Sequence, residues 1–214
     1  MEDVAEENLD RSRLAPVRAR GRKRSTSAAE LESAGFALFE ARGFEATTVE
    51  DIAAEVGIAK RTFFHYFESK NDLVWGDFEA HLQTMRAGFA ARPRDEPIME
   101  SVRMVVVEFN RFGAAQLPRH RKRMELILKV PALQANSTLR YHNWRVIVAE
   151  FVAGRRVEPP TALIPRAVAY AALGVAWAAY EQWLDAPHDS LTEYLDTAFS
   201  ELSEGFSAVA NHPE

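Results

Sequence analysis

The chain has 214 residues, with 31 acidic and 26 basic side chains, a formal charge of −5, 47% apolar content and no cysteine. That length allows one large domain, or a small one plus a medium one, with a sizeable core. The lack of cysteine excludes a disulfide framework and a thiolate metal site, and the acidic balance excludes a general nucleic-acid coat protein, so any DNA contact must come from local clustering.

The start, Met1-Glu2-Asp3-Val4-Ala5-Glu6-Glu7, is acidic where a signal peptide is basic, and a cytoplasmic protein is expected. Residues 1–24 divide into this acidic half and a basic arm holding Arg18, Arg20, Arg22, Lys23 and Arg24. They lack apolar periodicity and are expected to be disordered. The arm either reaches DNA phosphates or a minor groove, or merely solubilises the chain; the sequence leaves both open. Order should begin at Ser27, which forms a capping box with Glu30 ahead of Leu31, Leu38 and Phe39, in a helix ending at Gly43. A second helix carries Ile52, Ala53 and Val56 on one stripe, is opened by Thr47 or Thr48 with Glu50 or Asp51 three residues on, and stops at Gly57. A third, from about Ala59 to Phe67, follows too closely to lie antiparallel, so the pair must cross steeply as a helix-turn-helix. At about 100° per residue, Phe63 and Phe67 face inward while Arg61, Thr62 and His65 face outward, flanked by Lys60, Phe64 and Tyr66. No carboxylate follows until Glu68, which suits approach to base edges and phosphates in a major groove.

These residues, with Leu31, Ala34, Phe39 and Arg42-Gly43-Phe44 before them and Ser69-Lys70-Asn71-Asp72-Leu73 after, resemble the TetR family of one-component bacterial regulators over residues 25–75. The resemblance extends to regulators associated with mycofactocin, a peptide-derived redox cofactor, through Trp75-Gly76-Asp77-Phe78, His120-Arg121-Lys122-Arg123-Met124, Pro131 to Arg145 and Ala179-Tyr180-Glu181-Gln182-Trp183-Leu184. It implies a homodimer on a double-stranded DNA operator, with a DNA-binding domain at 25–70 and a larger effector-binding and dimerisation domain at 71–210. By position in the family motif, Lys60, Arg61, Thr62 and His65 are expected in the groove, and Thr47, Thr48, Tyr66 and Lys70 on phosphates. The chain departs from the motif at Ala59, where relatives often carry a capping serine, and at Phe64, where many carry tyrosine. A cap oxygen and a phosphate-seeking hydroxyl are thereby lost, and Phe64 is free to meet a thymine methyl.

Ser69 and Asp72 open a longer fourth helix through Leu73, Phe78, Leu82, Met85 and Phe89 to Pro93, linking the domains. Prolines then mark helix starts: Pro97 to about Ala115, Pro118 to Val130, Pro131 to about Arg156 and Pro165 to Asp185, before Ser190 with Glu193 caps a last helix to about Val209. The expected fold is all-α with about nine helices. The longest apolar run, Ala167 to Tyr180, is 14 residues, below the roughly 20 needed to span a bilayer; a buried helix and no membrane are expected. Ala167, Ala171, Gly174 and Ala178 form a smooth strip which, with Leu195 and Leu202 of the last helix, fits a four-helix dimer interface, internal packing being the alternative.

Met104, Phe109, Phe112, Leu126, Tyr141, Trp144, Phe151, Trp177 and Tyr180 provide surface for an apolar effector pocket, although each taken singly suits plain core better. The basic run Arg119 to Arg123, with Arg111, matches an anionic head group or a solvated helix start; the family resemblance implies a long-chain acyl-CoA as effector. No HExxH, GxSxG, phosphate-cradling glycine loop or clustered ligand set is present, so neither catalysis, nor a metal, nor a cofactor is expected. A regulator answering to a protein partner, or to no ligand, remains the alternative.

Overall fold

The computed structural model describes residues 26–186 and 189–205, so the expected disordered arm at 1–24 lies outside the described residues; the last helix, expected to about Val209, ends at Ser203. Ten helices follow one another: α1 (Ala28–Arg42), α2 (Val49–Glu55), α3 (Lys60–Phe63), α4 (Lys70–Trp75), α5 (Phe78–Ala90), α6 (Ile98–Phe109), α7 (Leu117–Lys129), α8 (Pro131–Arg156), α9 (Leu163–Asp185) and α10 (Leu191–Ser203). The all-α class holds. The capping box of α1 forms between Ser27 and Glu30, and that of α2 between Thr48 and Asp51, which selects among the four residues the sequence offered there. Leu31, Phe39, Ile52, Phe63 and Leu73 close a core among α1 to α4.

The tenth helix arises because the expected linking helix from Ser69 to Arg92 is broken. α4 ends at Gly76, which adopts φ 59° and ψ −145°, and Asp77 then caps α5 through its carboxylate to the Ala80 amide. Glycine is needed there twice over: the left-handed φ disfavours any side chain, and a Cβ would stand 2.9 Å from Arg123 Nη2 and 3.2 Å from Glu32 Oε1. Gly76→Ala is therefore expected to lower stability by about 1–3 kcal/mol from backbone strain alone. Thermal unfolding would check it, an unchanged midpoint meaning that the break is adaptable.

In the larger body, α9 packs on α8 and α10, α10 on α6, and α5 on α6 and α8, around Val106, Ile127, Val148, Trp183 and Phe199. α9 starts two residues before Pro165 and is longer than its apolar run. Among the described residues it is the one helix long and apolar enough to cross a membrane by length and composition. It is not buried all round, as the sequence led one to expect. Ala169, Ala172, Ala176 and Ala179 face the core, whereas Ala167, Ala171, Gly174 and Ala178 are exposed. Leu195, grouped with that strip from sequence, is instead fully buried in the subunit's own core, because α10 turns its 191/195/199 row toward α6 and α9; Leu202 is half-buried against the same core.

Candidate functional site

The helix-turn-helix is built as its spacing requires. Gly57 takes φ +73° between α2 and α3, and the Ile58 amide donates back to the Ala53 carbonyl at 2.9 Å. α3 is shorter than expected: regular helix covers only Lys60–Phe63, and turn bonds carry the chain on to Phe67. Ala59 provides no side-chain cap for it. Phe63 and Phe67 are buried, as expected. Outward stand Arg61, His65 and Phe64, the last 46% exposed, with Thr62 half-buried beside them. Lys60 lies on the same side but forms an ion pair with Glu50 of α2, and its ammonium holds that carboxyl below the usual range.

Three of the expected phosphate contacts are committed within the protein. Thr47 is fully buried, its hydroxyl donating to the Gly43 carbonyl at 2.9 Å, so it pins the α1–α2 turn and cannot meet DNA. Lys70 places its ammonium 2.7 Å from the Phe44 carbonyl and 2.9 Å from that of Thr47, over the Phe44 ring, and braces the same turn. Tyr66 donates its hydroxyl to the Thr26 carbonyl at 2.7 Å, holding the chain preceding α1 against the recognition helix. Thr48 is exposed, but its hydroxyl is shared with the Asp51 cap. Sequence reasoning missed these roles because a turn's free carbonyls leave no sequence mark.

In the larger body a cavity of about 80 Å³ is walled mainly by aromatic side chains. Of the expected pocket residues, Phe109, Phe112, Arg123, Tyr141, Trp144, Trp177 and Tyr180 line it. Five do not. Met104 is exposed on α6, Arg111 pairs with Glu108 on the surface, Leu126 packs on the core, Phe151 stacks on Phe89 at 4.5 Å, and Arg119 reaches Ser33 of α1. Trp75, Phe78, His81 and His120 were missed. The 120/124/127 spacing of His120, Met124 and Ile127 on α7 was a legible inward stripe, masked by the charges between.

The cavity's polar groups form one directed chain. The Asn110 amide donates to the Val106 carbonyl at 2.8 Å, so its oxygen accepts from the Tyr180 hydroxyl at 2.5 Å. Tyr180 has then spent its proton and accepts from His120 Nε2, 2.7 Å away, which assigns the His120 tautomer and leaves Nδ1 a bare, buried acceptor. Burial, followed by the nearby Arg123 and then His81, pushes the His120 pKa down to about 3. Trp75 Nε1 and Arg123 Nε are likewise buried without a partner.

The basic run of α7 finds partners within the protein, although Arg119 and Lys122 remain partly in solvent. Arg123 pairs with Glu32 of α1 at 2.9 Å, Lys122 with Glu40 of α1, and Arg121 donates to the Trp183 and Leu184 carbonyls closing α9. Arg140 of α8 adds a pair with Asp72 of α4. The N-terminal helical unit is thus fastened to the larger body through α7 and α8.

A helix-turn-helix unit with an exposed recognition turn, fastened to a larger helical body, is the arrangement of a DNA-binding regulator. Residues 32–74 match the family of bacterial regulatory proteins called tetR, and residues 96–207 match the MftR C-terminal domain. A Mycobacterium tuberculosis protein provisionally named mycofactocin biosynthesis transcriptional regulator MftR is 41% identical over 189 residues, covering 88% of this chain and 96% of that one. The transcriptional regulator TcmR of Streptomyces glaucescens is 29% identical over 64% of this chain and 63% of its own. In fold, the chain is similar to the Thermus thermophilus repressor FadR in complex with lauroyl-CoA (18% identity, TM-score 0.56, 88% and 97% covered). It is also similar to FadR of Bacillus halodurans, a fatty acid degradation regulator (17%, TM-score 0.62, 84% and 99% covered). The chain belongs to the TetR family of DNA-binding transcriptional regulators, with a C-terminal domain of the MftR type. Its family is one of regulators, not enzymes.

Proposed function

We propose that the protein is a homodimeric repressor of mycofactocin-related genes, released from a palindromic operator by a long-chain acyl-CoA. The observation that carries the effector reading is the cavity's position. Its wall includes Trp75 from α4 and Arg123, the residue that also pairs with Glu32 of α1, so filling it must disturb the seam to the DNA-binding unit. The cavity, at about 80 Å³, is smaller than the roughly 150 Å³ that holds a benzene ring, so an acyl chain must open it. Phe112, half-buried on the irregular loop after α6 and stacked on His120 at 3.7 Å, is the side chain best placed to yield. A ligand that binds the opened form better than the closed one shifts the population toward it, and one that binds both equally does nothing. The T. thermophilus relative, with lauroyl-CoA bound, supports this choice of effector. Titrating acyl-CoAs of increasing chain length against an operator gel shift tests it; operator binding unmoved by every chain length would end the acyl-CoA reading and leave the regulator.

The groove contacts are proposed to come from Arg61, Thr62, Phe64 and His65, with Lys60 joining once it exchanges Glu50 for a phosphate or base. Replacing Arg61 is expected to cost about 1–3 kcal/mol at the operator with little change on random duplex. Equal losses on both would mean that Arg61 touches only the backbone. Thr48 meets a phosphate only by turning its hydroxyl proton, now donated to the Asp51 carboxylate, onto it, whereas Thr47 and Lys70 act by holding the turn.

A further inference from the structure

Beside the aromatic cavity lies a more polar cleft, lined among others by Glu32, His81, Phe112, Gln116, Arg119 and Arg123. His81, Phe112, His120 and Arg123 line both spaces, so only side chains stand between them. At this junction two guanidinium groups converge on one carboxylate. Arg123 Nη2 is 2.9 Å and Arg119 Nη1 4.0 Å from Glu32 Oε2, and Arg119 also donates to Ser33 Oγ. Glu32 and Arg123 each expose only 16% of the side chain.

We propose that Arg119 and Arg123 form an anion subsite for the head group of an amphipathic effector, and that Glu32 of the DNA-binding unit is its resident carboxylate, expelled when the effector's own anion arrives. The inference rests on the effector reading above and adds to it the group that the effector must carry. Three features support it besides the ion pair. Arg123 keeps one buried donor, Nε–H, unpartnered, so Glu32 satisfies it only in part. Its burial makes an unpaired charge costly, so a second anion must take over when Glu32 leaves. Gly76 supplies no side chain where a Cβ would touch both Arg123 and Glu32, keeping the junction open at the break between α4 and α5. Apolar bulk in the cavity and an anion at its mouth then describe one ligand, and the anion's arrival detaches α1 from α7 at its least exposed ion pair.

An internal competitor reveals itself when removed. Binding of dodecanoate, 1-dodecanol and lauroyl-CoA is read by tryptophan fluorescence, since Trp75, Trp144 and Trp177 line the cavity. Glu32→Gln is expected to tighten dodecanoate binding about tenfold, equivalent to ~1.4 kcal/mol, with dodecanol unchanged. Glu40→Gln, which removes the Lys122 partner away from the cleft, should leave both unchanged. Arg123→Gln should weaken dodecanoate about tenfold and spare dodecanol, and it provides the readout if Glu32→Gln fails to fold. A response of lauroyl-CoA alone to these changes would still support the subsite and identify its anion as a CoA phosphate instead of a carboxylate. Fatty ligands that bind wild type but respond to neither Glu32→Gln nor Arg123→Gln overturn the subsite while leaving an apolar effector standing. If none of the three probes binds, both readings fall.

Discussion

Tryptophan at Gly174 is expected to leave the subunit folded, abolish the proposed dimer and reduce operator affinity on the order of 10³-fold. In the subunit nothing lies within 4 Å of a Cβ built at Gly174, so the new side chain meets open space. Ala167, Ala171 and Ala178 flank it on the same exposed strip, where a second backbone could approach closely. A bulky ring there overpacks such a contact and nothing else. One recognition helix reads one half-site, and paired half-sites repeat every ~34–36 Å, so two linked subunits gain affinity and specificity that one lacks. Sedimentation with circular dichroism checks both halves of the expectation. A variant that remains dimeric with its fold intact would place the seam elsewhere.

The second large effect is acid lability arising from His120. With its folded pKa depressed to about 3 from an ordinary 6.5, the unfolded chain binds more protons than the folded one between those values. Stability is then fully present above pH 6.5 and falls as pH drops through that window, by ~1.4 kcal/mol per unit once well below 6.5. The loss should approach ~2 kcal/mol near pH 5 and roughly double before the folded pKa is reached. Protonation would place a charge and a new donor at Nδ1, a buried atom with no acceptor, beside the Arg123 guanidinium. Carboxylates held low by cationic partners, such as Glu96 with Arg92, lose their contribution only at lower pH, which leaves the range from 6.5 to 5 diagnostic. Denaturant midpoints measured across it should fall for wild type and stay nearly level for His120→Gln. Parallel slopes would show that another group carries the acid response.

Much of this architecture was legible in the linear chain because its determinants are local. Capping pairs at Ser27/Glu30, Thr48/Asp51 and Ser69/Asp72 fall within one helical turn, and prolines open α7 and α8 where expected. The inward row of Phe63 and Phe67 followed from helical periodicity, as did the outward placement of Arg61 and His65. The break at Gly76 was passed over because the apolar pattern from Leu73 to Phe89 reads as one helix, although Gly76 followed by Asp77 is itself a local stop and restart; what the linear chain did not show is that Arg123 and Glu32 crowd the space a Cβ would fill there.

The sequence by itself determined the helical class, the helix-turn-helix and the family, since each rests on spacing within a few turns of backbone. Only the tertiary structure decided what the charges do. Lys70, Tyr66, Arg121 and Arg123 read as free contacts for DNA or an anion, yet all find carbonyls or carboxylates within the protein. A long flexible side chain takes whichever partner the fold brings within about 3 Å, and that partner lies 26 residues away for Lys70 and 91 for Arg123. The same holds for Leu195 and the small-residue strip of α9, whose inward or outward facing depended on how α6, α9 and α10 pack.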